Sequence, residues 1–143
     1  MDDHRIQVRP ARPADQAAVA GLARQLAMSF PFSTDAFGHS FPALLAAADA
    51  RLLVATGNDG PVGYLLGFWH LTFFANGPVG WVEEILIQPA YRSTGAGRAL
   101  MKDFEDWATA RGCAMVALAT RRAAPFYLAL GYEESATYFR KIL

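Results

Sequence analysis

Residues 83–101, EEILIQPAYRSTGAGRALM, constrain the fold more than any other stretch of this 143-residue chain. They run from an acid-headed apolar strand through a proline stop into a glycine-punctuated loop and an amphipathic helix. That order describes an anion site beside a carboxylate. Gly95 and Gly97 carry no Cβ, so the backbone from Arg92 through Ser93, Thr94, Gly95, Ala96 and Gly97 can approach a ligand and turn its N–H groups outward. The helix that follows adds unpaired first-turn donors and the positive end of its dipole, which suits phosphate. Two familiar phosphate loops do not fit. A P-loop needs Gly-Lys-Ser/Thr, and Gly97 is followed by Arg98 and Ala99. A dinucleotide fold wants a third glycine, a parallel βαβ unit and an acid about 20 residues on, in a longer chain.

The rest of the chain divides at its own turn residues into one domain spanning residues 1–143. Residues 6–9 alternate like a short strand. Asp15 can cap a helix whose apolar face is Val19, Leu22, Ala23 and Leu26, and Phe30-Pro31-Phe32 ends it. A second helix is expected with Ser40 as cap, Pro42 in its first turn, and Phe41, Leu44, Leu45 and Ala48 inward. Residues 52–56, 62–74 and 79–87 predict an antiparallel meander, turning at 57–60 and 75–78. A long helix follows over 95–111, with Leu100, Phe104, Trp107 and Ala108 on its buried face and Gly112 as its stop. A short buried strand (114–119), a helix (124–130) ended by Gly131, and a closing strand (135–141) complete the order β-α-α-β-β-β-α-β-α-β. The class is α/β (α+β), a mixed, mostly antiparallel sheet with helices on both faces.

Composition narrows the partners. Hydrophobic residues at 53% and aromatics at 13% argue against disorder, and a formal net charge of zero gives no reason to expect nucleic acid or an anionic membrane. The polar N-terminus and the lack of a spanning apolar run predict a cytoplasmic location. Cys113 has no cysteine to pair with and reads as a small buried residue. His4, His39 and His70 share no metal-ligand spacing with each other or with Cys113, so no metal is expected.

Arg92-x-x-Gly95-x-Gly97 resembles the Gln/Arg-x-x-Gly-x-Gly/Ala signature of the GNAT superfamily, the GCN5-related N-acetyltransferases. Trp81-Val82-Glu83-Glu84-Ile85-Leu86-Ile87 leading into Gln88-Pro89-x-Tyr91-Arg92 is similar to the family's approach to that loop. Ala123-x-x-Phe126-Tyr127-x-x-Leu130-Gly131-Tyr132 resembles its second signature, a short helix with a catalytic tyrosine. The resemblance covers residues 5–142 and implies the GNAT fold, acetyl-CoA as cofactor, and acetyl transfer to an amine of a small molecule or peptide. It implies that the 92–98 loop, Arg98 included, holds the cofactor pyrophosphate and that the backbone at Ile85, Leu86 and Ile87 meets the pantetheine amides. Phe126 and Thr120 stand at further cofactor positions. Thr120 replaces the family's frequent asparagine, and Ser93-Thr94 stands where Lys or Arg is common, a deficit that Arg92, Arg98, Arg121 and Arg122 can offset.

Amine attack on a thioester needs a base for the amine proton and an acid for the departing thiolate. Glu83 and Glu84 are the acids on the central strand, and strict alternation would put them on opposite faces. In diamine-type members of the family the glutamate nine residues before the loop arginine is the base, usually through water, a position that maps to Glu83. Either acid could instead pair with a cation or hold a charged acceptor. Tyr127 is the expected acid, since a phenol stays protonated near neutral pH, with Phe126 packing into the core. In the run from Phe68 to Phe74, alternation puts Phe68, His70 and Thr72 on one face. That face is either core, an acceptor pocket shared with Phe30, Phe32 and Tyr138, or the surface of a homodimer. The alternative to an enzyme is a non-catalytic acyl-CoA-binding sensor or interaction module of the same fold; retention of both Glu83 and Tyr127 favours the enzyme.

Overall fold

The computed structural model describes residues 5–27 and 29–143. Its sheet has five strands in the order β1-β2-β3-β4-β5: β1 Gln7–Pro10, β2 Ala50–Gly57, β3 Gly60–Thr72, β4 Gly77–Ile87 and β5 Val116–Leu118. The first three pairings are antiparallel and the last is parallel. The first hairpin falls at the expected turn, whereas the second turns at 73–76, two residues before the expected 75–78. Gly60 takes φ +109° at the first, and Asn76, at φ 58°, takes the left-handed conformation that asparagine tolerates at the second.

Alternation along β2 builds two cores. Leu53 and Ala55 face a cluster completed by Leu65, Val82 and the helices α3 (Ala96–Ala110) and α4 (Ala124–Ala129), through Leu100, Met101, Phe104 and Tyr127. Leu52 and Val54 face the other, formed with Tyr64, Leu66 and Leu86 by α1 (Gln16–Leu26) and α2 (Thr34–Ala46), through Val19, Leu22 and Phe41. Helices therefore cover both faces. Among the described residues no helix is long and apolar enough to cross a membrane.

Four expectations need correction. Asp15 precedes α1 but does not cap it; its carboxylate accepts the Arg12 N–H at 2.8 Å and the Arg9 guanidinium at 2.7 and 2.9 Å, and the Arg9 hydrogen bonds hold its carboxyl below the usual range. Helix α2 begins at Thr34 rather than after Ser40. Ser33 is its cap, with Oγ accepting the Ala36 N–H at 3.1 Å, and Asp35 favours the positive end of the helix. Pro42 consequently lies inside α2, where it lacks the N–H that would reach back to Gly38. The closing strand 135–141 is not formed; residues 132–143 carry no regular structure, and among the described residues their last backbone hydrogen bond is Tyr132 N–H to the Tyr127 carbonyl at 3.0 Å.

The Phe104 ring lies against the sheet where two strands have no side chain. A Cβ at Gly67 would stand 2.3 Å from Phe104 Cε1, and one at Gly80 would stand 3.1 Å from Cε2. Gly67→Ala is therefore expected to lose about 1–3 kcal/mol, the range for overpacking a tight core, measured by urea denaturation against the unmodified protein.

Candidate functional site

The register between β3 and β4 breaks at Glu83. Leu66 pairs with Glu84 and Gly67 with Val82, so Glu83 is the extra residue of a bulge. Simple alternation fails there. Val82 joins the α3-side core, while Glu84, two residues on, turns to Tyr64 of the opposite core. Glu83 is exposed and its Oε2 accepts the Trp81 indole N–H at 2.6 Å; Glu84 is half-buried and its Oε1 accepts the Tyr64 hydroxyl at 2.8 Å. Both carboxylates line one cleft of about 2100 Å³. Neither donor was named from the sequence. Trp81 is legible in hindsight, two residues before Glu83 on one strand; Tyr64 needs the β3–β4 register.

The parallel pairing of β4 with β5 covers Gly80–Val82 against Val116–Leu118 and then stops. Beyond Val82, the β5-facing edge of β4 at Ile85, Leu86 and Ile87 is left open to an extended ligand, as strand addition requires. The strand ends in a 3-10 turn at Pro89–Tyr91 and the 92–98 loop. Ser93 (φ 67°) and Gly95 (φ 89°) are left-handed, and among the described residues no acceptor takes the backbone N–H groups of residues 93–98. Thr94 Oγ1 bonds the Tyr91 carbonyl at 2.5 Å and Arg92 Nε the Ile87 carbonyl at 3.3 Å, fixing the loop to the strand end. The result is a cradle of free donors at the start of α3, able to hold a diphosphate.

The glycines serve different ends. A Cβ on Gly95 would meet nothing within 4 Å, so its backbone conformation is what requires glycine. At Gly97 a Cβ would lie 3.1 Å from Phe126 Cζ; its bareness lets α4 close on α3. Phe126 keeps 36% of its surface exposed, and the buried member of the pair is Tyr127, at 7% relative exposure. Phe126 is thus not the fully packed core residue that was expected. Tyr127 packs edge-on to Phe126 and Tyr132, lines the cleft, and burial pushes its phenol above the ordinary value. Thr120 Oγ1 accepts the Ala123 N–H at 3.1 Å and so shapes the turn into α4. Tyr132, whose hydroxyl bonds Glu105 at 2.5 Å, ties the end of that segment to α3.

The cleft gathers some of the expected acceptor residues and leaves others out. Phe30, Phe32 and Tyr138 line it; His70 is exposed near the β3–β4 hairpin and does not. Arg121 and Arg122 line it from the β5–α4 connection, whereas Arg98 is exposed beside the cradle. Cys113 is half-buried at the cleft wall, and His4 lies outside the described residues.

A family model described as the acetyltransferase (GNAT) family matches residues 21–132. The chain belongs to that family. It is an N-acetyltransferase with acetyl-CoA as cosubstrate, and the 93–98 donors fit the diphosphate of CoA. An aminoglycoside N(6')-acetyltransferase type 1 of Stenotrophomonas maltophilia is 30% identical over 142 residues, 93% of this chain and 91% of that protein. A glucosamine 6-phosphate N-acetyltransferase of Oryza sativa subsp. japonica is 30% identical over 140 residues, 93% of this chain and 84% of that one. The solved structure of a Trypanosoma brucei acetyltransferase superposes with a TM-score of 0.83 at 24% identity, covering 97% of this chain and all of that one, a likeness of fold.

Tyr64, Tyr127 and Tyr132 all hold their protons more tightly in the folded state, chiefly through burial, with Glu84 and Glu105 adding to the effect at Tyr64 and Tyr132. Their contribution is complete below the unfolded value of about 10 and is lost as pH rises through the folded values. Urea denaturation across pH 8 to 11 is expected to show stability falling above about pH 10, with phenolate absorbance from these residues appearing together with unfolding.

Proposed function

We propose that the protein moves the acetyl group of acetyl-CoA to a primary amine of a small, cationic acceptor by direct attack. The observation that carries this reading is the convergence of Glu83, Glu84 and Tyr127 on one cleft beside the open edge of β4. In this reading the CoA diphosphate takes the 93–98 N–H groups and the pantetheine arm runs along Ile85, Leu86 and Ile87. Phe126 lies beside the arm, and Arg92 and Arg98 add charge near the phosphates. Thr120 acts on this site only by shaping the turn before α4.

Glu83, exposed at the bulge, accepts the amine proton directly or through a water. The amine nitrogen then bonds the thioester carbonyl carbon, and the carbon–sulfur bond breaks. The thiolate takes the Tyr127 proton, which burial keeps on the phenol through neutral pH. Glu84, held by Tyr64, fixes a second positive charge of the acceptor. Glu133 and Glu134 also line the cleft, as do the rings of Phe30, Phe32, Trp81 and Tyr138. Carboxylates among aromatic faces suit a polyamine or amino sugar more than an acceptor bearing its own phosphate. The aminoglycoside acetyltransferase relative fits that class, and the glucosamine 6-phosphate acetyltransferase relative fits the other.

Free-thiol release from acetyl-CoA across aminoglycosides, polyamines, amino sugar phosphates and peptide N-termini tests the acceptor class; the first two groups are expected to turn over. Tyr127→Phe should keep CoA affinity by calorimetry and lose roughly one to three orders of magnitude in kcat, with equal turnover reducing Tyr127 to packing. Glu83→Gln should lower kcat more than it raises the acceptor KM, while Glu84→Gln should do the reverse. The opposite pattern would exchange the two roles. Gly95→Val, strained by its positive φ, should weaken CoA binding about tenfold or more by calorimetry.

A further inference from the structure

The hairpin joining β3 to β4 runs past its neighbours. The last pairing of β2 with β3 joins Ala50 to Phe68, and among the described residues β3 beyond Trp69 has no strand partner but β4. Its tip is apolar and open: Leu71, Phe73 and Phe74 are 70%, 101% and 73% exposed. The tip is also held. Thr72 Oγ1 donates to the Gly77 carbonyl at 2.7 Å and accepts the Ala75 N–H at 3.2 Å, the Asn76 N–H reaches the Phe73 carbonyl at 3.1 Å, and Asn76 turns at φ 58°. A ring carried on a fixed turn loses little conformational freedom when a ligand meets it.

The two phenylalanines of the turn part company. Phe74 lines the cleft that holds Glu83 and Glu84, and Phe73 does not. Trp81 stands on β4 between the turn and the bulge. Met115 is brought alongside that strand, since Gly80 N–H bonds the Met115 carbonyl at 3.0 Å and Ala114 N–H the Pro78 carbonyl at 3.1 Å. Trp81 and Met115 line the cleft as well. The wall therefore changes character along β4, from the carboxylates at the bulge, past Trp81 and Met115, to the Phe74 ring. Thr72 pairs with Gly77, and from Gly77 to Glu83 an extended strand rises roughly 20 Å.

We propose that Phe74 is a specificity-determining contact for the far end of the acceptor, and that the acceptor is an elongated polycation rather than a diamine or a single amino sugar. Resting on the acetyl-transfer reading above, the placement puts the reacting amine at Glu83 and a second ammonium at Glu84. The apolar body of the acceptor lies along Trp81 and Met115, and a further ammonium meets the face of Phe74, a cation held against a ring. A short acceptor satisfies both carboxylates yet ends before the turn. A linear tetra-amine and an amino sugar of several rings share the length and charge that reach it.

The test compares matched short and long amines, putrescine with spermine and glucosamine with kanamycin, by free-thiol release from acetyl-CoA. The proteins are the unmodified chain, Phe74→Ala, Phe74→Tyr and Phe73→Ala. Phe74→Ala is expected to raise KM for the long member of at least one pair between about threefold and thirtyfold, the range of a cation–ring contact, with kcat and the short members unchanged. The pair that responds distinguishes a chain acceptor from a ring acceptor. Phe74→Tyr keeps the ring and should restore the long amine, while Phe73→Ala, on the same turn and also exposed, should change neither. Equal effects on short and long amines, a long-amine KM within about twofold of the unmodified value, or an equal loss in Phe73→Ala would overturn the proposal. Calorimetry of the same amines on the CoA-loaded protein reads the contrast as affinity. Absence of turnover with every amine, with the long-to-short contrast kept in binding, would count against acetyl transfer alone; loss of the contrast in binding as well would overturn both readings.

Discussion

The seat of Phe104 on two bare strand positions is the contact on which the rest depends. Gly67 and Gly80 leave a slot in the middle of the sheet, and a ring with no exposure fills it. Leu100 and Met101, one turn earlier, are equally buried. A helix fixed at this depth cannot rotate or slide without opening a cavity, which costs several kcal/mol for side chains of this size. Its N-terminus is therefore held at the end of β4, with the free donors of the 93–98 loop in a set place. The preorganisation of the anion cradle is bought in the apolar core, not in the loop.

Two irregularities in β4 then make a site out of a sheet. The bulge at Glu83 lets adjacent residues serve one cleft, where an unbroken strand would send their side chains to opposite faces. The early end of the β4–β5 pairing opens backbone groups that an ordinary sheet would spend internally. Each carboxylate has a neutral donor rather than a cation, Trp81 for Glu83 and Tyr64 for Glu84. That arrangement orients both acids with neutral donors and without a partner cation, as the proposed cationic acceptor requires. Tyr127 has the opposite environment, buried among rings, which keeps its proton in place.

Much of this was legible in the sequence because it is written in local chemistry. The meander follows from period-two alternation between glycine and asparagine turns, α3 from the 3.6-residue spacing of Leu100, Phe104 and Ala108, and the anion loop from glycines at a helix start. The α2 start was misplaced because two serines compete as caps, and only the backbone shows that Ser33 takes the bond. What the sequence by itself determined is the order of elements as far as α4, the family, and the residue types brought to the cleft. Only the tertiary structure decided which faces they serve. One extra residue in β4 reverses the facing of everything after it, and Phe126 keeps more of its surface exposed than Tyr127 as α4 closes on Gly97. Each of these depends on register or on a neighbour distant in sequence, and a local pattern carries no record of either.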